Sequence, residues 1–115
     1  MKFTMPFDFG DVVLVPFPFT NQMTSKQRPA VIVSHHAYAR ARPDVVVMAI
    51  TSQVRAPLGF ADTLLTDWQE ANLLKPSVVK PVFATLEQGL LIKQLGQLSV
   101  TDQETLRLSI KQAIG

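Results

Sequence analysis

Two short apolar runs near the start of the chain constrain its fold more than any other feature. The first covers residues 11–17, directly after Gly10, and the second covers residues 30–34, directly after Arg28 and Pro29. Both runs are rich in β-branched and aromatic side chains and are bounded by turn-forming residues, which predicts two neighbouring strands. The pattern therefore predicts a sheet with an arginine at the mouth of its second strand, and a planar cation at such a position suits a phosphate.

The composition is that of one domain with a large core. The chain has 115 residues, of which 47% are hydrophobic and 17% are charged. A chain of this length buries roughly two thirds of the surface that its unfolded form exposes, and the apolar excess suits a closed barrel or a dimer. Because no repeat, linker or low-complexity tract divides the sequence, we expect a single domain over residues 1–115.

Composition also excludes several kinds of site. The absence of cysteine rules out disulfides, thiolate zinc sites and cysteine nucleophiles. The carboxylates are dispersed without metal-ligand spacing, so neither a metal nor another cofactor is expected. The net charge of +2 permits contact with nucleic acid without demanding it.

The same sequence gives an expectation for location. Its apolar runs are too short, or too often broken by proline and charge, to cross a bilayer. The first residues lack the apolar stretch of a signal peptide. We therefore expect a soluble, cytoplasmic protein with no membrane partner.

A third apolar run, residues 44–50, predicts the strand that follows the second one in the sheet. If the two strands pair antiparallel with Ser34 opposite Val45, the two residue numbers of every pair have the same sum. Arg28 then lies opposite Thr51. The spacing alone predicts an arginine and a hydroxyl at one end of this hairpin.

The remaining elements complete a mainly β fold. A capping box with Thr101 at the N-cap and Glu104 at N3 predicts a C-terminal helix. Its predicted apolar face consists of Leu106, Ile110, Ala113 and Ile114. The other predicted elements are an open turn over 35–43, a short helix over 62–72 with Leu64, Leu65 and Trp68 on one face, a strand over 77–86 and a short strand within 90–98. Together they predict an α+β fold, a small SH3-like β-barrel with a short helix and a C-terminal helix.

Five segments then follow one another in an order that resembles a known family. They are residues 10–15 (GDVVLV), 28–34 (RPAVIVS), 49–52 (AITS), 74–79 (LKPSVV) and 95–99 (LGQLS). As an ordered set they resemble the MazF/PemK-type toxins of toxin–antitoxin modules. The resemblance implies an SH3-like barrel that acts as a homodimeric, metal-independent endoribonuclease on single-stranded mRNA. It also implies a cognate antitoxin whose disordered tail covers the RNA groove, and operator DNA bound together with that antitoxin.

The resemblance assigns roles to individual residues. Arg28 and Thr51, the pair that the strand register brings together, correspond to the catalytic residues. In this chemistry the 2′-hydroxyl attacks the neighbouring phosphorus, and a guanidinium stabilises the charge that builds on the phosphoryl oxygens. Substrate contacts are expected from Ser52, Gln53, Lys26, Phe19 and Thr20. Residues 23–27 (MTSKQ) replace a glycine-containing stretch of many members, so the resemblance does not imply which RNA sequence is preferred.

Other functions stay open on the sequence alone. His35 and His36 could act as an acid–base pair, but the register places them a strand length away from Arg28, and adjacent strand residues point to opposite faces. An arginine at a sheet edge can serve structure only, and a threonine at a strand end is often satisfied by a turn. The alternatives are a non-catalytic barrel that binds nucleic acid or a peptide, and a degenerate toxin that keeps only antitoxin binding or autoregulation.

Overall fold

The computed structural model describes residues 7–17 and 26–115, which form a curled antiparallel sheet with helical segments packed on it. The strands are β1 (Asp11–Phe17), β2 (Lys26–Ile32), β3 (Asp44–Thr51), β4 (Thr63–Leu64), β5 (Val78–Glu87) and β6 (Lys93–Gln97). The helical segments are α1 (His36–Ala41), a 3₁₀ turn (Gln88–Leu90) and α2 (Val100–Ile114). Within these described ranges, the helices are all too short or too polar to span a membrane.

The six strands lie in the order β4-β5-β3-β2-β1-β6, and every neighbouring pair is antiparallel. The predicted mainly β fold with a C-terminal helix is confirmed. The first strand is observed over the residues that were predicted, and the third extends one residue further, to Thr51. The second strand begins four residues earlier than predicted, at Lys26, because its first residues pair with the end of β1.

The predicted register of the β2–β3 hairpin is confirmed where the two strands pair. The observed pairs are Ala30 with Ala49, Val31 with Met48 and Ile32 with Val47. Beyond them the Val33 N–H donates to the Val46 carbonyl over 2.9 Å. The Val46 N–H in turn donates to the Ser34 hydroxyl over 3.1 Å, so a side chain completes the hydrogen bonding at this end of the hairpin.

Alternating side chains give the sheet two buried faces. On one face, strand residues pack with Ala39 of α1 and with Leu91, which follows the 3₁₀ turn. On the other, strand residues pack with Leu98 and with Leu106 of α2. Burying a valine or leucine contributes about 1.5–3 kcal/mol relative to exposing it. Covering both faces of one sheet accounts for much of the chain's high apolar content.

The helix predicted over residues 62–72 is wrong. Thr63 and Leu64 form β4 instead, paired with the start of β5, and turns follow up to Asn72. The reason lies in α2, where the buried Asp102 carboxylate accepts the Thr66 and Asp67 N–H groups over 3.0 and 2.9 Å. These hydrogen bonds satisfy backbone donors that a helix would use internally, so tertiary contacts override the local apolar pattern.

The connection between β2 and β3 is a helix where an open turn was expected. α1 starts after His35, whose Nδ1 accepts the Ala37 N–H over 3.0 Å, and the Tyr38 N–H donates to the His35 carbonyl. Histidine thus caps the helix in the way that serine or aspartate usually does. The short helix of the fold lies here and not after β4.

The C-terminal helix begins earlier than its predicted cap. Ser99 is the N-cap residue, its hydroxyl accepting the Asp102 N–H over 3.2 Å, and Thr101 lies inside the helix. The capping motif is therefore shifted by two residues. Of the predicted apolar face, Leu106 is buried and Ile110 packs against the second core cluster, whereas Ala113 and Ile114 are exposed.

Candidate functional site

A cleft of about 710 Å³ opens where β2 begins and β3 ends. It is lined by Leu14 of β1, by Gln27, Arg28 and Pro29 of β2, by Ile50, Thr51, Ser52 and Gln53, by Asn72, Leu73, Leu74, Lys75 and Ser77, and by Lys93, Gln94 and Leu95 of β6. Three of these side chains are cations, and the lining that the structure describes contains no carboxylate. Such an arrangement concentrates positive potential and favours an anionic ligand.

The backbone of Arg28 is held in a strand, and one nitrogen of its side chain has no partner among the described residues. Arg28 lies in β2 opposite Val15 of β1, near the end of the sheet. Its Nε is buried and has no hydrogen-bond partner within the described part of the chain. A buried donor without a partner costs about 1–3 kcal/mol. The two terminal Nη groups of a guanidinium also present paired donors, which match two oxygens of a phosphate.

Thr51 ends β3, and the turn that follows it orients its hydroxyl. The Gln53 N–H donates to Thr51 Oγ1 over 3.1 Å. The hydroxyl proton has no acceptor among the described residues, so it remains available to a ligand in the cleft. Thr51 can therefore stabilise the turn, as threonine often does, and bind a ligand at the same time.

Segment 72–75 reaches the cleft by close packing on β6. Asn72 adopts a left-handed φ of 60°, and its Nδ2 donates to the Leu95 carbonyl over 2.7 Å. At Gly96 a Cβ atom would lie 2.8 Å from the Ala71 carbonyl oxygen, a distance that only glycine permits. This contact holds the segment that carries Leu74 and Lys75 to the cleft.

The structure brings four of the predicted site residues together. Arg28, Thr51, Ser52 and Gln53 all line the cleft. Lys26 is the first residue of β2, two positions before Arg28. The predicted contacts Phe19 and Thr20 lie outside the described residues.

The two histidines lie away from the cleft. His35 caps α1, and His36 Nδ1 lies 3.3 Å from Asp8 Oδ2. The connection that contains them joins the opposite ends of β2 and β3 from those that carry Arg28 and Thr51. Neither residue lines the cleft.

Sequence reasoning missed two cations of the cleft, Lys75 and Lys93. Lys93 pairs with Leu14 across the β1–β6 ladder, a partnership between residues 79 positions apart. Lys75 follows a turn whose course is determined by the contact with Gly96. Only the Lys-Pro dipeptide at 75–76, which predicts an extended residue before the proline, gave a local signal.

The sequence matches the profile of one protein family over most of its length. The family is described as the PemK-like, MazF-like toxin of type II toxin–antitoxin systems, and the match covers residues 8–114. No curated protein sequence matches the chain significantly.

Solved structures with the same fold are similar to almost the whole chain. An endoribonuclease in complex with its cognate antitoxin from a mycobacterial species is 21% identical, covers 96% of this chain and 95% of its own, and has a TM-score of 0.76. The Mycobacterium tuberculosis toxin MazF-mt6 is 22% identical, with coverages of 90% and 94% and a TM-score of 0.73. MazE–MazF from Deinococcus radiodurans is 16% identical, with coverages of 98% and 98% and a TM-score of 0.73. At these identities the likeness establishes the fold.

Proposed function

This chain belongs to the PemK-like, MazF-like toxins of type II toxin–antitoxin systems, and from that premise we propose that it is an endoribonuclease that cleaves single-stranded RNA. The observation that carries the proposal is the cleft that Arg28 shares with Thr51, whose described lining holds three cations and no carboxylate. The other cations of the cleft, Lys75 and Lys93, suit the flanking phosphates of a polyanion.

The proposed reaction is an internal transphosphorylation. The 2′-oxygen of one ribose bonds to the adjacent phosphorus, and the bond from that phosphorus to the 5′-oxygen of the next nucleotide breaks. The 2′-hydroxyl releases its proton to solvent and the departing 5′-oxygen takes one up, so the products carry a 2′,3′-cyclic phosphate and a 5′-hydroxyl. Charge develops on the non-bridging oxygens, where paired guanidinium donors are most effective.

Each catalytic side chain has one role in this mechanism. Arg28 donates to the non-bridging oxygens and stabilises the transition state. Thr51 positions the scissile group through its free hydroxyl proton, because a hydroxyl has no useful basicity near neutral pH. Ser52 and Gln53, exposed beside it, are the proposed contacts to the substrate together with Lys26, Phe19 and Thr20. Because the side chains of the site supply the charge stabilisation, the mechanism requires no metal.

The partners follow from the family. We propose that residues 1–115 act as a single toxin domain, as a homodimer in the cytoplasm, and that a cognate antitoxin inhibits it and joins it on operator DNA. The mycobacterial endoribonuclease in complex with its antitoxin and the Deinococcus MazE–MazF structure support the antitoxin as a partner. Exposed apolar side chains of α2, namely Val100, Leu108 and Ile114, offer surface for such contacts.

The test is cleavage of a long single-stranded RNA in the presence of EDTA. Wild type should cut at specific sites, leaving 5′-hydroxyl ends that a polynucleotide kinase can label directly. Arg28→Ala should lower the rate at least about a hundredfold through loss of the charge-stabilising donors. Arg40→Ala is the matched control, because Arg40 is an exposed arginine in the last turn of α1. RNA that is bound but left intact by wild type would instead identify a non-catalytic module.

A further inference from the structure

A second cavity, of about 480 Å³, adjoins the cleft. The two cavities share Thr51 and Gln53, so the turn after β3 forms a wall of both. The second cavity is completed by the loop that carries Arg55, Pro57 and Leu58, and by the start of β5. Its volume lies in the range typical of sites for small organic ligands.

In the described part of the chain, three charged side chains line the second cavity, and two of them, Asp62 and Lys80, form an ion pair with each other. Asp62 lines it, but the Asp62 side chain is only 4% exposed and its Oδ2 receives Lys80 Nζ at 2.8 Å. The same oxygen accepts the Gly59 N–H over 2.7 Å. Lys80 therefore neutralises Asp62. Arg55 is exposed and has no ion pair or side-chain hydrogen bond among the described residues.

The remaining lining is suited to the other parts of a nucleotide. Pro57, Leu58 and Val78 offer apolar surface, and the Gln53 amide can both donate and accept. The Asp62 contacts to Gly59 and Lys80 tie this loop to β5, so the cavity wall is held in place. An anion site beside apolar surface is the combination that a phosphate with its sugar and base requires.

We infer that the second cavity is a nucleotide subsite in which Arg55 binds the backbone phosphate next to the scissile one. The inference rests on the proposed function, because it takes the scissile phosphate to lie against Thr51. An RNA chain that passes Thr51 and leaves the cleft along this shared wall enters the second cavity directly. Arg55 thereby extends the cationic track of Lys93, Lys75 and Arg28 by one phosphate.

The test measures the salt dependence of binding. Once wild type has revealed a cleaved site, an oligonucleotide with that site is made with a 2′-deoxyribose at the attacking position, so that it binds without being cut. Fluorescence anisotropy at several KCl concentrations then gives the slope of log Kd against log salt. Arg55→Ala should weaken binding about threefold, the size of an exposed ion pair. It should also reduce the slope by about 0.7, the value for one phosphate contact on a single strand.

Three controls separate a subsite from a general charge effect. Arg40→Ala removes the same charge at α1 and should leave the slope unchanged. Arg55→Lys keeps a point charge and should restore most of the lost slope. On an oligonucleotide shortened to the two nucleotides around the scissile phosphate, Arg55→Ala should bind like wild type.

The outcomes distinguish failure of this inference from failure of the proposed function. If wild type cleaves RNA but Arg55→Ala and Arg40→Ala give equal slopes, the subsite is refuted and the nuclease proposal stands. If the shortened oligonucleotide loses as much binding as the long one, Arg55 contacts the scissile group and the subsite is likewise refuted. If wild type cleaves no RNA, both proposals fall.

Discussion

At the scale of single residues, the site contains donors that have no hydrogen-bond partner among residues 7–17 and 26–115. The Arg28 Nε is buried without a partner in the described part of the chain, and Thr51 has its oxygen engaged but its proton free. A buried donor without a partner lowers the stability of the protein by about 1–3 kcal/mol.

Substitutions of Thr51 should slow RNA cleavage when they remove its hydroxyl, whether or not they keep the shape of the side chain. Thr51→Val keeps the branched side chain but removes the hydroxyl, and we expect cleavage to slow by roughly a hundredfold, as when one positioned donor is lost from an active site. Thr51→Ser keeps the acceptor for the Gln53 N–H and should lose much less. Single-turnover cleavage rates and urea unfolding, measured on both variants, give the comparison. Equal rates for Thr51→Val and wild type would remove Thr51 from the mechanism.

The presence of Arg28 and Thr51 at the same end of the hairpin, where both line the cleft, could be predicted because it depends on local register. A single hairpin joins the two strands, and one assumed pair, Ser34 with Val45, determines all the others. The position of Lys93 in the cleft could not be predicted from local register. Lys93 comes to the cleft through β6, whose partner β1 lies at the other end of the chain, and no local pattern encodes that register.

At the scale of elements, the cleft depends on how segment 72–75 is docked. Gly96 of β6 lies so close to the Ala71 carbonyl that an added methyl group would meet it at 2.8 Å. The obstructing atom is backbone, so the segment itself must move. Glycine is required here for close approach and not for an unusual φ.

Gly96→Ala should therefore alter both stability and substrate binding. Displacing the segment should cost about 1–3 kcal/mol of unfolding free energy, as overpacking usually does. It should also raise KM more than it lowers kcat, since Lys75 moves while Arg28 and Thr51 stay in place. Gly89→Ala is the matched control, because a Cβ at Gly89 meets nothing within 4 Å. An unchanged KM in Gly96→Ala would show that this wall does not contact the substrate.

The elements that were predicted correctly are those determined by their own residues. The runs of β-branched residues in β1 and β3 favour strands through their own composition. The prediction of a helix over 62–72 is wrong because a residue of α2 determines the conformation of this segment. The Asp102 carboxylate accepts hydrogen bonds from the Thr66 and Asp67 N–H groups. On α2 the apolar periodicity correctly marks Leu106 and Ile110 as facing the core, but it does not mark the buried polar residues Asp102 and Ser109.

At the scale of the whole molecule, Asp8 ties the approach to β1 to the helix between β2 and β3. Its Oδ1 accepts the Phe9 and His36 N–H groups, each over 2.9 Å. Partial burial raises the pKa of this carboxyl. The two backbone hydrogen bonds and the His36 side chain outweigh that effect and hold the pKa below its usual value of 3.8.

This lowered pKa gives stability a defined dependence on pH. A carboxyl with a depressed folded pKa stabilises the fold above its unfolded pKa, and that contribution is lost as pH falls through the folded value. The unfolding free energy of wild type should exceed that of Asp8→Asn by a constant amount from neutral pH down to about pH 5. The excess should shrink below 3.8. Because the Asp8 side chain is 49% exposed, the effect is small.

Urea unfolding across this pH range measures the effect. Glu70→Gln controls for the loss of one negative charge, since Glu70 is exposed and its side chain has no partner among residues 7–17 and 26–115. A wild-type excess over Asp8→Asn that grows as the solution is acidified would contradict the assignment.

The cleft can form only late in synthesis of the chain, because part of its lining comes from β6. The cleft takes residues from Leu14 to Leu95, and β1 is completed on one side by β6. While the chain leaves the ribosome, Arg28 and Thr51 emerge long before the strand that forms their opposite wall. On the proposed function, a nascent chain therefore cannot cut the messenger RNA that encodes it before β6 has emerged and has completed the cleft.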